Sequence, residues 1–263
     1  MSRVFEFDSA IVRTPGVSVV NGLRADRSAT PKYDGVVREH AAYVAALRAA
    51  GVTVEVLPAL EAFPDSVFVE DPALVFGDGA VLLRPGAPSR MGEREAMRPV
   101  MERHFATVLE LGDGELADGG DVLVTRDAVM IGLSARTNRE GAEALAAALA
   151  RLGRRAWIVE TPAGVLHFKT ACSLLDEETV LATRVMAESG VFTGFGVVIV
   201  PEDEEAAANA LRVNDAVLVG ERFPRTCELL AARGYSVVPL PVTEIGKLDA
   251  GLSCMSLRWK RGT

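Results

Sequence analysis

Short apolar runs recur in pairs along this chain, each pair joined by two or three turn-forming or acidic residues. The first pair occupies 73–76 and 80–83, with Gly77, Asp78 and Gly79 between the two runs. The same pattern returns at 121–131, 172–182 and 210–219. Two apolar runs around a tight turn are typical of a β-hairpin. The pattern therefore predicts four hairpins spread over the chain.

A helical pattern and one more apolar strand follow these hairpins. Ala and Leu recur at helical spacing most clearly in 141–152 and 224–233. The strands that come next are predicted at 107–111, 156–159 and 237–240, and the third hairpin is followed by a weaker helical segment at 184–194 and a strand at 197–200. Each unit would thus consist of a hairpin, a helix and a strand.

The two ends of the chain supply a fifth unit of the same kind. A helix at 36–50 and a strand at 52–57 form its back half, and strands at 5–12 and 255–259 would form its front half. A unit joined from both ends closes the array into a ring, which removes exposed sheet edges. We therefore predict an α/β fold, a closed five-unit α/β propeller with one domain over residues 1–263. The alternative is an ordinary mixed α/β sheet with coincidental hairpins.

Composition narrows the classes of function. Hydrophobic residues make up 49 % of the 263 residues, enough to bury a core without disulfides. The 28 Lys and Arg against 36 Asp and Glu give a net charge of −8, which argues against nucleic acid or an anionic membrane and favours a cationic small molecule. No apolar run approaches the roughly 20 residues of a membrane span. Acids in the first eight residues do not fit a signal peptide, so we expect a cytoplasmic protein.

Thiols and imidazoles give no sign of a metal centre. The three cysteines and three histidines are Cys172, Cys227, Cys254, His40, His104 and His167. The cysteines have no C-x-x-C spacing and cannot all pair, so reduced thiols are expected. The histidines are scattered, without metal-ligand spacing. We predict neither a metal nor a cofactor.

Polar residues that a core would exclude stand just before or at the first strand of successive units: Asp65, Glu70, Asp71, Asp118, His167 and Cys254. Equivalent positions of a ring converge on its axis, so these groups could form one acidic site with a nucleophile and a base. Each has a plainer interpretation alone: a cysteine is commonly packing, His167 could belong to the core, and Asp118 could form a turn. Their shared position in the repeat favours the catalytic interpretation.

Six segments, in order along the chain, resemble motifs of the dimethylarginine dimethylaminohydrolases. They are PDSVFVED at 64–71, RPGAPSR at 84–90, LADGGDVL at 116–123, GLSARTN at 132–138, LHFK at 166–169 and LSC at 252–254. These enzymes belong to the guanidino-group-modifying superfamily, and the resemblance implies its five-unit, pentein-like propeller fold. Two departures are Met255, where some animal members have a second cysteine, and Phe168, which replaces a leucine.

The resemblance also implies roles for particular residues. Cys254 would be the nucleophile, His167 the general acid and base, and Asp118 the carboxylate partner of His167. The implied ligands on the guanidinium side are Asp65, Glu70 and Asp71, and the implied contacts to the amino-acid end are Leu23, Arg90, Arg136 and Leu248. Independently of the resemblance, carboxylates suit a guanidinium because they accept its N–H groups in a fork.

The implied activity is hydrolysis of asymmetric dimethylarginine and monomethylarginine to citrulline and dimethylamine or methylamine. It would proceed through an S-alkylthiouronium on Cys254. One alternative is an arginine deiminase-like or other guanidino hydrolase, although 263 residues leave no room for the extra helical domain of deiminases. Another is a non-catalytic sensor of guanidino compounds, which would not need a nucleophile. A homodimer is a candidate assembly.

Overall fold

A computed structural model describes residues 3–261. Its strands are β1 (Ser9–Arg13), β2 (Thr53–Leu57), β3 (Ala73–Phe76), β4 (Gly79–Leu82), β5 (Val108–Glu110), β6 (Val122–Val124), β7 (Val129–Leu133), β8 (Ala156–Glu160), β9 (Cys172–Leu174), β10 (Thr179–Ala182), β11 (Gly196–Ile199), β12 (Leu211–Val213), β13 (Ala216–Gly220), β14 (Ser236–Leu240) and β15 (Leu257–Trp259). The α-helices are α1 (Tyr33–Ala49), α2 (Glu93–His104), α3 (Arg139–Arg151), α4 (Arg184–Glu188) and α5 (Pro224–Ala231).

The strands of this described part form five sheets of three strands each. The sheet orders are β15-β1-β2, β3-β4-β5, β6-β7-β8, β9-β10-β11 and β12-β13-β14. In every sheet the first strand is antiparallel to the second, and the second is parallel to the third. One α-helix connects the second strand to the third. The predicted five-unit α/β architecture is confirmed, and the alternative of one mixed sheet is wrong.

The sheet of β15, β1 and β2 joins the two ends of the described chain. Ala10 on β1 lies opposite Arg258 on β15 and opposite Val54 on β2. The neighbouring unit is tied to this sheet by Asn214, which stands in the turn between β12 and β13. Its side chain accepts from the Phe7 amide at 2.8 Å and donates to the Phe7 carbonyl at 3.0 Å. That residues 1–263 form a single domain stays a prediction.

Two of the helices begin with a clear start signal in the sequence, and α3 shows how a helix buries one face. Asn138 accepts from the Gly141 amide at 2.8 Å at the start of α3, and Pro224 occupies the first turn of α5. On α3, Leu145 and Leu149 are fully buried in a cluster that includes residues of β4 and β7. The helix after the third hairpin is shorter than predicted, since α4 ends at Glu188. None of the helices in residues 3–261 is long and apolar enough to cross a membrane.

The first strands of all five sheets surround one cavity of about 520 Å³. Its lining includes one or more residues of each of these strands, among them Leu257, Leu74, Leu123, Ser173 and Leu211. The five first strands therefore share an axis. The segments that lead into these strands meet at one end of the axis, and the hairpin turns lie at the other end.

Candidate active site

Each of the five units places a polar residue immediately before its first strand. Four of them are predicted from the sequence: the pair Glu70 and Asp71 before β3, Asp118 before β6, His167 before β9, and Cys254 before β15. The unit of β12 adds Asn209, which the sequence analysis missed. The repeat itself was the signal for Asn209, because it occupies the equivalent position in the one remaining unit.

Asp118 and His167 form a hydrogen-bonded pair. His167 Nε2 lies 2.9 Å from Asp118 Oδ2. The other carboxylate oxygen accepts from the Gly86 amide at 2.7 Å, and the Asp118 amide donates to Thr137 Oγ1 at 3.1 Å. Burial alone would lower the pKa of His167, but the hydrogen bond to Asp118 and the charges of Asp71 and Asp121 outweigh burial and raise that pKa to about 9. The imidazole is therefore protonated at neutral pH.

Gly120 lets Asp71 and His167 approach the same stretch of backbone. A Cβ on Gly120 would lie 2.9 Å from the His167 ring and 3.0 Å from Asp71 Oδ1, closer than packed atoms allow. Its amide donates to Asp71 Oδ1 at 2.9 Å. The absence of a side chain at this position thus brings a carboxylate and the imidazole to the two sides of one residue.

Asp121 is a second residue that the sequence analysis did not assign. Its carboxylate is fully buried and accepts from Ser134 Oγ and Thr137 Oγ1, both at 2.7 Å, and from the Phe168 amide at 2.8 Å. Phe168 directly follows His167, so Asp121 fixes the backbone that carries the imidazole. Its position at the end of the Asp-Gly-Gly-Asp segment was visible, but only the folded chain shows what it holds.

Cys254 is half-buried between the units of β3 and β12. Its carbonyl accepts from the Glu70 amide at 3.2 Å, and its Sγ lies 3.8 Å from Asn209 Nδ2. Asn209 Oδ1 also accepts from the Ser253 amide at 3.3 Å. Burial and the negative charges of Glu70 and Asp71 raise the pKa of the Cys254 thiol to about 11. The thiol is protonated at neutral pH.

The other two cysteines have plainer surroundings. Cys172 is buried on β9, where its Sγ lies 3.2 Å from the Phe168 carbonyl and burial raises its pKa. Cys227 lies on α5, and burial raises its pKa as well. Neither residue stands before the first strand of a unit.

Glu70 is bonded to the protein on both of its carboxylate oxygens. Oε1 accepts from Lys169 Nζ at 2.6 Å and from Arg258 Nη2 at 3.2 Å, and Oε2 accepts from Ser253 Oγ at 3.1 Å. The side chains of Glu70, Lys169 and Arg258 are nearly buried. This ion-pair cluster lies between Cys254 and the axial cavity. That Glu70 contacts a guanidinium stays a prediction.

Arg90 has protein partners around its whole guanidinium group. It donates to Asp71, to Glu93 at 3.0 Å through Nε and 2.7 Å through Nη2, and to the carbonyls of Asp65 and Phe68 at 3.3 and 2.9 Å. Burial would raise the pKa of Asp71, but the charges of Arg90 and His167 hold that pKa below its ordinary value. The expectation that Arg90 contacts the amino-acid end of a ligand stays untested.

Arg136 differs sharply from Arg90. It is half-buried, and its guanidinium forms no hydrogen bond or ion pair within residues 3–261. Its carbonyl oxygen lies so close to Gly86, whose amide holds Asp118, that a Cβ there would come within 2.3 Å. Arg136 is therefore a cation with free donors beside the Asp118 segment.

Asp65, Leu23 and Leu248 meet around Gly22. The Leu23 amide donates to Asp65 Oδ1 at 2.9 Å, and a Cβ on Gly22 would lie 2.9 Å from the same oxygen and 3.0 Å from a Leu248 methyl group. Burial raises the pKa of Asp65, although the charge of Arg90 opposes the rise. The structure thus brings together three of the residues that the sequence assigned to substrate binding.

One group of side chains in the described chain has the donor types and spacing of a metal site. Ligand atoms of Asp71, Asp118 and His167 all lie within 4.8 Å of one another. Their lone pairs already accept from Arg90, Gly120 and Gly86 or take part in the Asp118–His167 bond. An ion would have to displace these bonds, so the arrangement fits proton transfer better than metal binding.

Comparison with known proteins identifies relatives over nearly the whole chain. A family model described as arginine deiminase matches residues 58–198. The N(G),N(G)-dimethylarginine dimethylaminohydrolase of Pseudomonas aeruginosa is 38 % identical over 96 % of this chain and 100 % of its own. The enzyme of that name from Streptomyces coelicolor is 35 % identical over 95 % of this chain and 96 % of its own.

A solved structure extends the similarity to the fold. It shows the Pseudomonas aeruginosa enzyme with a cysteine replaced by serine, complexed with citrulline. It is 38 % identical to this chain, covers 97 % of it and 100 % of its own chain, and gives a TM-score of 0.93. The propeller architecture built from the strand pairings above is therefore shared with that enzyme.

Proposed function

Since the chain belongs to the dimethylarginine dimethylaminohydrolase family, we propose that it hydrolyses N-omega-methylated arginines to citrulline and an alkylamine. The observation that carries this proposal is the convergence, before the first strands, of a protonated thiol, an imidazole bonded to Asp118 and an excess of carboxylates. This set can bind a cation, attack it and move protons. A binding module would need only the carboxylates.

The protonation states of the site suggest how the substrate takes part in its own activation. The same carboxylate charges that raise the pKa of Cys254 attract a guanidinium. A cation bound beside the thiol offsets those charges and therefore lowers the thiol pKa. Thiolate then forms mainly in the complex, where it can attack, and the free site keeps an unreactive thiol.

The first half of the reaction forms a covalent intermediate. The Cys254 thiolate attacks the central guanidinium carbon, a C–S bond forms, and the electron pair of the C=N bond moves onto nitrogen. His167 gives its proton to the dimethylated nitrogen, the C–N bond breaks and dimethylamine leaves. The product of this half is an S-alkylthiouronium on Cys254 together with a neutral His167.

The second half releases citrulline. Neutral His167 takes a proton from water, the resulting hydroxide attacks the same carbon, and a C–O bond forms. The C–S bond then breaks and its electron pair returns to sulfur as thiolate, while the hydroxyl oxygen loses its proton to solvent and becomes the C=O group of citrulline. Asp118 keeps the imidazole oriented and stabilises its charged form in both halves. No redox change occurs: the thiol proton leaves to solvent before the attack, His167 supplies the proton of the leaving amine, and water returns a proton to His167.

The amino-acid end of the substrate is proposed to reach the region of Arg136. Its guanidinium has free donors, which suits an α-carboxylate, whereas the donors of Arg90 are occupied within the protein. Leu23, Asp65 and Leu248 form a compact group around Gly22 and could contact the α-amino end. In this proposal Arg90 holds Asp71 in place through their ion pair and does not contact the substrate.

The proposal is tested by comparing substrates that differ either in the methyl groups on the guanidinium or in the presence of the α-carboxylate. The protein is incubated separately with asymmetric dimethylarginine, monomethylarginine, arginine and agmatine, and citrulline, carbamoylputrescine, alkylamine and ammonia are quantified. We expect citrulline with dimethylamine or methylamine from the methylated arginines, and little turnover of agmatine. Ammonia released from arginine faster than amine from the methylated substrates would favour an arginine deiminase-like activity, which the matching family model keeps as the second candidate. Binding without any product would indicate a sensor.

A further inference from the structure

The cavity on the ring axis is separate from the candidate active site. It extends from the hairpin turns at Gly77 and Asp127 to the ion-pair cluster of Glu70 and Lys169, and neither Cys254 nor His167 lines it. Its volume of about 520 Å³ falls within the range of small-molecule sites, roughly 300–1,000 Å³. The cavity is therefore large enough for a ligand of its own.

The charge of the cavity is opposite to that of the whole chain. Eight Arg and Lys residues but only three Asp and Glu residues line it, whereas the chain carries a net charge of −8. At its inner end, Lys169 and Arg258 face one carboxylate, that of Glu70, so one positive charge is left over. An anion would be attracted into this space, and the guanidinium substrate would be repelled.

Several of the polar groups around the cavity are incompletely paired. Arg212 stacks 4.9 Å above the Phe5 ring and donates only to backbone carbonyls, without an ion pair in residues 3–261. Arg258 Nε and Ser173 Oγ are buried and have no hydrogen-bond partner in the same range. The Arg258 side chain is only 10 % exposed. Because neither of these two atoms is exposed to the cavity, an anion there would be attracted by the charges of Lys169 and Arg258, which share the single carboxylate of Glu70.

The walls of the cavity between the hairpin turns and the ion-pair cluster of Glu70, Lys169 and Arg258 are apolar. Leu74, Val122, Leu123 and Leu257 come from the first strands of three different units, and Phe5 covers the side near β12. We propose that the cavity binds an organic carboxylate with an apolar body. Its carboxylate accepts from Arg258 and Lys169, and its body packs between the strands.

Octanoate is the probe, and octan-1-ol is its uncharged counterpart with the same apolar body. Titration calorimetry is expected to show one octanoate per chain and at least about tenfold weaker binding of octan-1-ol, because a hydroxyl makes no charge-assisted bond. Leu123→Trp fills the space and is expected to abolish binding. Its fold is checked by circular dichroism and thermal melting.

Charge reversal at the rim, the exposed part of the cavity lining near the hairpin turns, gives a test that does not disturb the interior. Arg126→Glu with Arg155→Glu changes two exposed cavity residues, and Arg139→Glu with Arg151→Glu changes two exposed arginines on α3 outside the cavity. We expect the first pair to weaken octanoate about tenfold and the second less than about twofold, since exposed charges act mainly over short range.

Three results would overturn the proposal. One is octanoate that fails to bind, or that binds no better than octan-1-ol. Another is an equal effect of the two charge-reversal pairs. The third is octanoate binding that is lost in Arg136→Ala but kept in the rim variant, since the anion would then occupy the candidate active site. All three are binding measurements, so they do not depend on whether methylarginines are turned over.

Discussion

The two ends of the axial strands hold charge in different ways. At the end that carries Cys254, four buried aspartates accept from backbone amides: Asp65 from Leu23, Asp71 from Gly120, Asp118 from Gly86 and Asp121 from Phe168. At the cavity end, Arg212 and Arg258 project from strands whose amides are engaged in the sheets. Arg258 and Lys169 share the carboxylate of Glu70, and Arg212 has no ion pair in residues 3–261. Loops before strands have free amides, and this is why the acidic chemistry is located there.

At the end of the axis that carries the candidate active site, removal of the Cys254 thiol is expected to have the largest effect on turnover. Cys254→Ser is expected to lower turnover of dimethylarginine by about 10⁴-fold or more, because an alcohol is a far weaker nucleophile toward this carbon. Cys172→Ser and Cys227→Ser, whose thiols lie elsewhere, are expected to keep most of the activity. Mass spectrometry of an acid-quenched wild-type reaction should locate an adduct on the Cys254 peptide. Full activity in Cys254→Ser would remove the nucleophile assignment.

Loss of the imidazole is expected to be the next largest effect. His167→Gln should lose about 10²-fold or more in steady-state rate, since neither amine departure nor water attack is assisted, while its melting curve changes little. If attack survives, the adduct accumulates and is visible by mass. His40→Gln is the matched control, because His40 is buried on α1 with its pKa lowered to about 4 by burial. A His167→Gln protein that melts early but turns over normally would restore a packing role.

The two arginines allow binding to be separated from stability. Arg136→Ala is expected to weaken substrate binding by about 1.5–3 kcal/mol, the range for hydrogen bonds to charged groups, with an unchanged melting temperature. Arg90→Ala leaves Asp71 and Glu93 buried without their cation and is expected to destabilise the fold by about 3–5 kcal/mol. Thermal melting and the KM for dimethylarginine distinguish them. An Arg136→Ala protein with unchanged KM would show that the α-carboxylate binds elsewhere.

The pH dependence of kcat/KM tests the protonation states of Cys254 and His167. In the proposed mechanism the active form has a thiolate and a protonated imidazole, one proton fewer than the form present at neutral pH. Because the pKa values of His167 and Cys254 are raised to about 9 and about 11, kcat/KM should rise about tenfold per pH unit up to about pH 9 and then level off. Glu70→Gln should move the thiolate absorbance titration to lower pH. A flat profile between pH 6 and 9 would contradict this charge balance.

Two serines that line the cavity provide the smallest expected effects. Ser256 Oγ bonds to Tyr43 and Arg258, so Ser256→Ala should cost about 1–3 kcal/mol of unfolding free energy. Ser173 Oγ has no partner in residues 3–261, so Ser173→Ala should change that free energy by less than about 0.5 kcal/mol or stabilise the protein slightly. Urea unfolding of both variants measures the difference. Equal costs would show that both hydroxyls are bonded in solution.

The repeating fold could be predicted because its signals are local. Turns such as Asn214–Asp215 and caps such as Asn138 lie within a few residues of the elements they define. The short helix α4 was the weak point, since its apolar spacing is poor. The predicted end of that helix was therefore wrong, although its position between β10 and β11 was right.

The candidate site could be predicted only in part. Most residues at equivalent positions in the repeat were found, but Asn209 was missed: its position in the repeat was the signal, and an amide has no acid, base or nucleophile chemistry that would single it out. The partners of Arg90 and Asp121 depend on which segments meet in the folded chain, and no spacing in the sequence gives that. The basic cavity was hidden for the same reason, because a net charge of −8 does not reveal where the cations gather.

The pairing of β1 with β15 makes Cys254, the proposed nucleophile, the last part of the candidate site to be synthesised. When the ribosome has produced the residues up to β14, Asp118 and His167 are already present, but Cys254 and the strand that follows it are not. Since β15 must find a partner almost the full length of the chain away, this closure is also the strand pairing with the longest sequence separation among the described residues, and an expected slow step of folding. If the proposed roles hold, a nascent or truncated chain carries the acid and base but no thiol to use them, and methylarginine hydrolysis is confined to molecules whose ring has closed.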